Sequence, residues 1–133
     1  MAECKDFSTI CGSTVSEALG VVALRAGPAI VARNRDVMMR NLSLLNSFFA
    51  KHAAVFEWSP PRAGTVGFPR LLTGETADAF CERVLAGCNV LLLPSSVFDF
   101  VPAGEQRLRI GFGRDSMPEV LAKLDAFLSG GAS

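Results

Sequence analysis

The stretch RLRIGFGR, Arg107 to Arg114, places three arginines and two glycines around a short apolar core. Side chains of a strand alternate between faces, so Leu108, Ile110 and Phe112 share one side and Arg107, Arg109, Gly111 and Gly113 share the other. The first set reads as a core face. On the second, the glycines clear room beside the guanidinium groups for a ligand or another backbone. A guanidinium is a rigid fork of donors that matches a carboxylate bidentately, so a small carboxylic acid held against this strand is sensible chemistry. The plain alternative is a set of surface arginines paired with Asp or Glu, each worth at most about 1 kcal/mol.

Other reactive residues are sparse. The four cysteines are Cys4, Cys11, Cys81 and Cys88; no C-x-x-C pair exists and His52 is the one histidine. That spacing argues against zinc or any other metal. Cys81 and Cys88 lie seven apart, on one face of an expected helix, and read as reduced, partly buried thiols. The 133 residues suit one domain with a real core, half are hydrophobic and a fifth charged, and acidic and basic residues balance at 13 each. Disorder is excluded by that composition, and the basic footprint of a nucleic-acid binder is missing. No apolar run approaches the roughly 20 residues that span a bilayer. The N-terminus has no basic-then-apolar leader pattern. The expectation is a cytoplasmic protein with no membrane or nucleic-acid partner.

The elements that must position the arginines follow from periodicity and punctuation. Ser13 to Ala26 reads as a helix, with Ser13 as N-cap and Glu17 in the first turn. Gly27-Pro28 opens a second helix of about 25 residues, roughly 37 Å long. Its stripe of Ile30, Val31, Val37, Met38, Leu42, Leu45, Phe48 and Phe49 recurs at helical spacing. At that length, part of the stripe is expected to need a partner outside the chain. Val55–Ser59 and Thr65–Leu71, joined by PPRAG, read as an antiparallel hairpin. Thr73–Gly87 reads as a helix with Thr76 as N-cap, a buried side of Ala77, Phe80, Val84 and Leu85, and Gly87 as its stop. Val90–Pro94 is so apolar that it should be covered on both faces. The segment from Ser95 to Gln106 reads as a loop, and Ser116 caps a last helix that stops at Gly130. The expected fold is an α/β two-layer sandwich (α+β): a small mixed or antiparallel sheet covered by helices, in a single domain over 1–133.

Read end to end, the chain resembles the C-terminal part of a fold-type I, pyridoxal-phosphate-dependent aminotransferase of class I/II. KDFSTICGSTVSEALG resembles the family's K-D-Y-T-T-I-C followed by S-E, where the chain leaves the large domain. IVARNRDVMMRNLSLLNSFFAKH resembles the helix linking the two domains. PPRAGTVGFPRL resembles P-x-G-G-x-x-x-F-P, VLLLPSSVFDF resembles V-x-L-x-P-G-x-x-F, and RLRIGFGR resembles the final R-I-G-F-G segment. Five segments in the right order cover nearly the whole chain.

The resemblance implies that Arg109 binds the substrate's α-carboxylate. It assigns no role to Arg107 or Arg114. It implies that Gly64, Ser95, Ser96 and Phe98 border the same cleft, although Gly64 also reads as a plain turn glycine and the serines as backbone-capping loop residues. It further implies amino acids and 2-oxo acids as substrates, pyridoxal phosphate as cofactor, and a homodimeric parent. Three positions depart from the pattern: Ala63 for the first glycine of the hairpin pair, Ser95 for the glycine after Pro94, and Gly12 for a polar residue. The first two alter loop geometry and bear on substrate preference more than on the reaction. The cofactor's Schiff-base lysine should stand in S-K-x-x-G-L-x-G-x-R, and none of Lys5, Lys51 and Lys123 does. The chain therefore reads as the small domain with the large cofactor-binding domain absent. It should hold no catalytic residue and no cofactor, and should be inactive alone. A related lyase or decarboxylase would use the same parts. The alternative is a stand-alone α/β module that binds anions or a protein without catalysis.

Overall fold

A side-chain cap marks the start of one helix of this chain, Ala77–Cys88. The computed structural model describes residues 12–98, 101–102 and 104–130. Cys4, Lys5, Cys11 and the KDFSTIC stretch lie outside the described residues, as do 99, 100 and 103 in the loop. The described residues form an N-terminal unit up to Arg35 and a second unit from Asp36. Helix α1 is Thr14–Arg25, with Ser13 in the N-cap position but no hydrogen bond from its side chain. None of its residues is buried. Helix α2, Gly27–Lys51, is the long one, and along it Asn41, Leu45, Phe48 and Phe49 are buried while Ile30 and Val31 stay exposed.

In the second unit, α3 is Ala77–Cys88, where the Ala79 N–H donates to Thr76 Oγ1 at 3.2 Å as the sequence leads one to expect. A second cap arrives from far along the chain, since Gln106 Oε1 accepts from the Ala77 N–H at 2.7 Å. The helix stops at Asn89, in the left-handed region at φ 55°, not at Gly87. Gly87 lies inside α3, and a Cβ there would strike the Phe127 ring of the last helix, α4, Met117–Gly130. Its absence lets the two helices approach.

The strands are short: β1 Phe56–Glu57, β2 Val66–Gly67, β3 Arg70–Leu71, β4 Leu93–Pro94 and β5 Leu108–Gly111. All pairings are antiparallel, β1 with β3, β2 with β5, and β4 with β5. The expected strand Thr65–Leu71 is thus two strands, β2 and β3. The break has a chemical cause. Gly67 faces Ile110 and Arg70 faces Arg107 on one unbroken register. Between them Leu108 donates its N–H to Pro69 O at 3.0 Å, and Pro69 has no N–H to return the bond. Half of one ladder step is lost and the alignment survives. Leu71 resumes it, donating to Gln106 O at 2.7 Å.

Alternate residues of the strands face the helices. Phe56, Leu71, Leu108, Ile110 and Phe112 join Leu45, Phe48 and Phe49 of α2, Phe80 and Val84 of α3, and Leu121 and Leu124 of α4 in one core. The other face of the sheet carries no helix layer among the described residues. The architecture is therefore helices on one side of a small antiparallel sheet, the α+β arrangement expected from the sequence. Two burial expectations are corrected. Leu91 is 75% exposed and Leu93 38%, while Val90 and Leu92 are buried, so the stretch 90–93 alternates and is covered on one face only. Leu85 is exposed, because the buried stripe of α3 runs through Ala77, Phe80, Cys81 and Val84.

Gly67 illustrates how tightly the sheet meets α2. A Cβ at this position would lie 2.5 Å from the Trp58 ring. That ring stacks on Phe49 at 4.4 Å between centroids, and its Nε1 donates to Asn46 Oδ1 at 2.7 Å. Gly67→Ala must push the ring away, at a cost of about 1–3 kcal/mol. Trp58 is the one tryptophan of the chain, so its emission reports the event cleanly. A red shift and a lower melting temperature are expected; an unchanged spectrum would refute the packing.

Candidate functional site

Four arginines lie on or beside the open face of the sheet, and their partners separate them. Arg70 donates to Glu57 Oε2 at 3.2 Å, from β3 across to β1. Arg107 donates through Nε to Glu105 Oε2 at 2.6 Å and through Nη1 to Phe68 O at 3.2 Å. Both are neutralised within the chain. Arg109 has no hydrogen-bond or ion-pair partner among the described residues, and neither has Arg114. Arg109 sits in the middle of β5, paired across to Leu93 of β4, with Phe68 opposite on its other side by the same register that joins Gly67 to Ile110 and Arg70 to Arg107. Leu108 and Ile110, its neighbours in sequence, are buried and anchor the strand. The result is a guanidinium carried by a fixed backbone, with no acceptor of its own among the described residues.

The other residues proposed from sequence fall elsewhere. Gly64 adopts φ 84° in the exposed turn before β2, and a Cβ there would meet no atom within 4 Å. Its conformation, not space for a ligand, requires glycine. Ser95 is buried, donates to Glu105 O at 3.3 Å and accepts from the Arg107 N–H at 3.1 Å, so it ties the loop to the start of β5. Ser96 donates to Asp78 Oδ1 at 2.6 Å. Phe98 meets Phe68 edge-on with centroids 5.7 Å apart. Ser95, Ser96 and Phe98 do line one depression, together with Asp78 and Glu105. Arg109 lines a different one, with Arg114, Ser116, Met117 and Val120. The structure therefore brings the loop residues together with each other but not into the hollow at Arg109.

Two arrangements have little signature in the sequence. Asn41 of α2 is fully buried and donates from Nδ2 to Phe112 O at 2.9 Å and Arg114 O at 2.7 Å. It holds the exit of β5. A polar residue inside an apolar stripe was the available signal. His52 is buried and its Nε2 lies 2.7 Å from Asp125 Oδ1, which also pairs with Lys51. Lys51, and then His52, hold the Asp125 carboxyl below the usual carboxylate range.

The thiols match their plain reading. Burial first, and then the nearby Asp78 carboxylate, push Cys81 from 9.0 up to about 11. Its thiolate fraction near neutrality should be about 100-fold below that of an ordinary thiol, so Cys81 should react with a disulfide reagent about 100-fold more slowly. The folded chain holds this proton more tightly than the unfolded one. The stabilisation is therefore complete below pH 9 and disappears as pH rises through about 11. Thermal melts across that window should fall for the native chain and fall less for Cys81→Ala. Equal slopes would remove the assignment.

The described residues do not fit a covalently held pyridoxal phosphate. Lys51 is ion-paired with Asp125 at 2.6 Å and Lys123 with Glu119 at 3.0 Å, so each is engaged as an ammonium. The N-terminus of α3, which could cradle a phosphate, already has two of its N–H groups occupied by Thr76 and Gln106.

No family model matches the chain. It is 28% identical over 108 residues to capreomycidine synthase of Streptomyces vinaceus, across 81% of this chain and 27% of that protein. Among solved structures, a PLP-dependent aminotransferase from Streptococcus suis superposes with a TM-score of 0.81 at 22% identity, over 99% of this chain and 34% of its own. The PLP-dependent cyclase OrfR superposes with a TM-score of 0.79 at 23% identity, over 98% of this chain and 35% of its own. The chain spans about a quarter to a third of the length of these relatives. In fold, it resembles the small C-terminal domain of pyridoxal-phosphate-dependent aminotransferases.

Proposed function

We propose that this chain serves as the substrate-carboxylate-binding small domain of a pyridoxal-phosphate-dependent enzyme that moves an amino group between an α-amino acid and a 2-oxo acid. The observation that carries the reading is Arg109, without a partner among the described residues, beside Arg70 and Arg107, which are both neutralised by glutamates. A bidentate carboxylate there fixes one end of the substrate and so orients the Cα–H bond for a base supplied by another domain. Orientation of this kind is worth several kcal/mol of barrier. The lysine that takes that proton belongs, in this reading, to a large domain that also holds the cofactor, and the parent is a cytoplasmic homodimer. Lys51 and Lys123, engaged in ion pairs, support assigning the linkage elsewhere.

Side-chain NMR tests the binding half of this reading. On titration with alanine or pyruvate, the Arg109 Nε–H resonance should shift while those of Arg70 and Arg107 stay nearly still. A shift at Arg107 with none at Arg109 would reverse the assignment.

A further inference from the structure

Helix α1 carries apolar side chains that stay open to solvent. Val15, Leu19 and Val22 are spaced four and three apart, on one stripe of the helix, and are 68%, 64% and 63% exposed. That spacing is the narrow seam by which two helices pack, not the broader stripe of a helix laid on a core. The stripe also reads alike in both directions. About the middle of the helix, Leu19 mirrors Val22, Ala18 mirrors Ala23, and Val15 mirrors Ala26 at the C-cap. A patch of this kind is its own complement when a second copy is turned end for end, as a two-fold interface requires. Charge selects the same orientation. Glu17 lies in the first turn and Arg25 in the last. Antiparallel packing sets each Arg25 toward the acidic first turn of the other copy. Parallel packing would gather two arginines at one end and align the helix dipoles in the same sense.

We propose that α1 is a self-association helix: two copies of this chain pair antiparallel through Val15, Leu19 and Val22, with Leu19 of each against Val22 of the other. The inference goes beyond the Arg109 reading and stands apart from it, since it uses no residue of that strand. The available area sets the strength of the pair. Three such side chains from each copy, with the alanines that flank them, remove roughly 500 Å² from water. A stable interface takes about 1,200 Å² or more, so this pair is a weak and reversible one.

The test is analytical ultracentrifugation of this chain from about 10 µM to about 1 mM, the range in which weak association is read. The mass should rise with concentration toward that of two chains and stop there. Leu19→Glu and Val22→Glu should each hold the chain monomeric, because a carboxylate in the seam cannot be paired. Leu24→Glu makes the same change on the opposite side of the helix, where the residue is 81% exposed, and should leave association unaltered. Trp58, in the second unit, should emit identically in all three variants, which separates lost pairing from lost folding. Ala18→Glu flanks the seam and in the antiparallel register comes beside Arg25 of the other copy, so it should tighten the pair about threefold. A chain that stays monomeric throughout would overturn the proposal. So would growth past two copies, or association lost as readily in Leu24→Glu as in Leu19→Glu. Weaker pairing in Ala18→Glu would overturn the antiparallel register.

Discussion

In a parent enzyme of the proposed kind, Arg109→Ala is expected to lower kcat/KM for amino-acid substrates by about 100-fold or more, with a higher KM and a lower kcat together. The size follows from the bonds lost. A hydrogen bond to a charged partner contributes about 1.5–3 kcal/mol, and a guanidinium fork supplies two. Every 1.4 kcal/mol is about a factor of ten. The split between the two constants carries the mechanistic content. Loss of uniform binding alone would raise KM and spare kcat. A carboxylate grip that also aims the Cα–H bond must cost turnover as well. Arg109→Lys keeps the charge but not the fork, so it should recover part of the loss. Arg107→Ala is the matching control. Arg107 already spends its guanidinium on Glu105 and Phe68 O, so its loss should cost some stability and leave both constants near the native values. Unchanged kinetics in Arg109→Ala, or a larger defect in Arg107→Ala, would end the assignment.

That the sequence could single out Arg109 at all rests on strand alternation. Leu108, Ile110 and Phe112 are buried and Arg109 and Gly111 exposed, as a period of two demands. The start of α3 was equally legible, because Thr76 is a local signal with a local effect. The misreadings share a physical origin: they depended on partners distant in sequence. Nothing in VLLLP says that one face of the strand is open, since a buried run and a half-covered one look alike until the layers are counted. The division of Thr65–Leu71 into β2 and β3 came from the missing N–H of Pro69 meeting Leu108 some forty positions on. Gly87 looked like a stop because the Phe127 ring that fills its missing side chain belongs to the last helix. The site shows the same pattern. Which arginine keeps no partner among the described residues depends on which glutamates reach the others: Glu105 is a local partner of Arg107, while Glu57 reaches Arg70 only across the β1–β3 pair. Ser95, Ser96 and Phe98 were grouped with Arg109 by analogy, and the structure places them around their own depression.

Asn41 is where sequence and structure differ most, and its replacement should have the largest effect on folding. The residue is 0% exposed within an otherwise apolar stripe, a costly place for an amide unless its groups are bonded. Its Nδ2 satisfies two main-chain carbonyls at once, Phe112 O and Arg114 O, where β5 ends and the chain turns into α4. Its Oδ1 has no partner among the described residues. The balance therefore lies entirely with the two donated bonds. Asn41→Leu keeps the branched shape with more bulk and removes the orphan acceptor, yet strands one buried and one part-buried carbonyl at about 1–3 kcal/mol each. A net loss of about 2–4 kcal/mol follows, or about 10 °C in melting temperature. Asn41→Asp keeps the shape but sets a carboxylate against the same two carbonyls. It should be the worse variant near neutral pH. It should also regain stability as pH falls, because the protonated carboxyl can again donate one bond while the charge that opposed burial is removed. A leucine variant as stable as the native chain would show that those carbonyls need no donor. If both variants lose stability in the order given, the exit of β5, and with it the backbone that carries Arg109 and Arg114, is held by one buried amide.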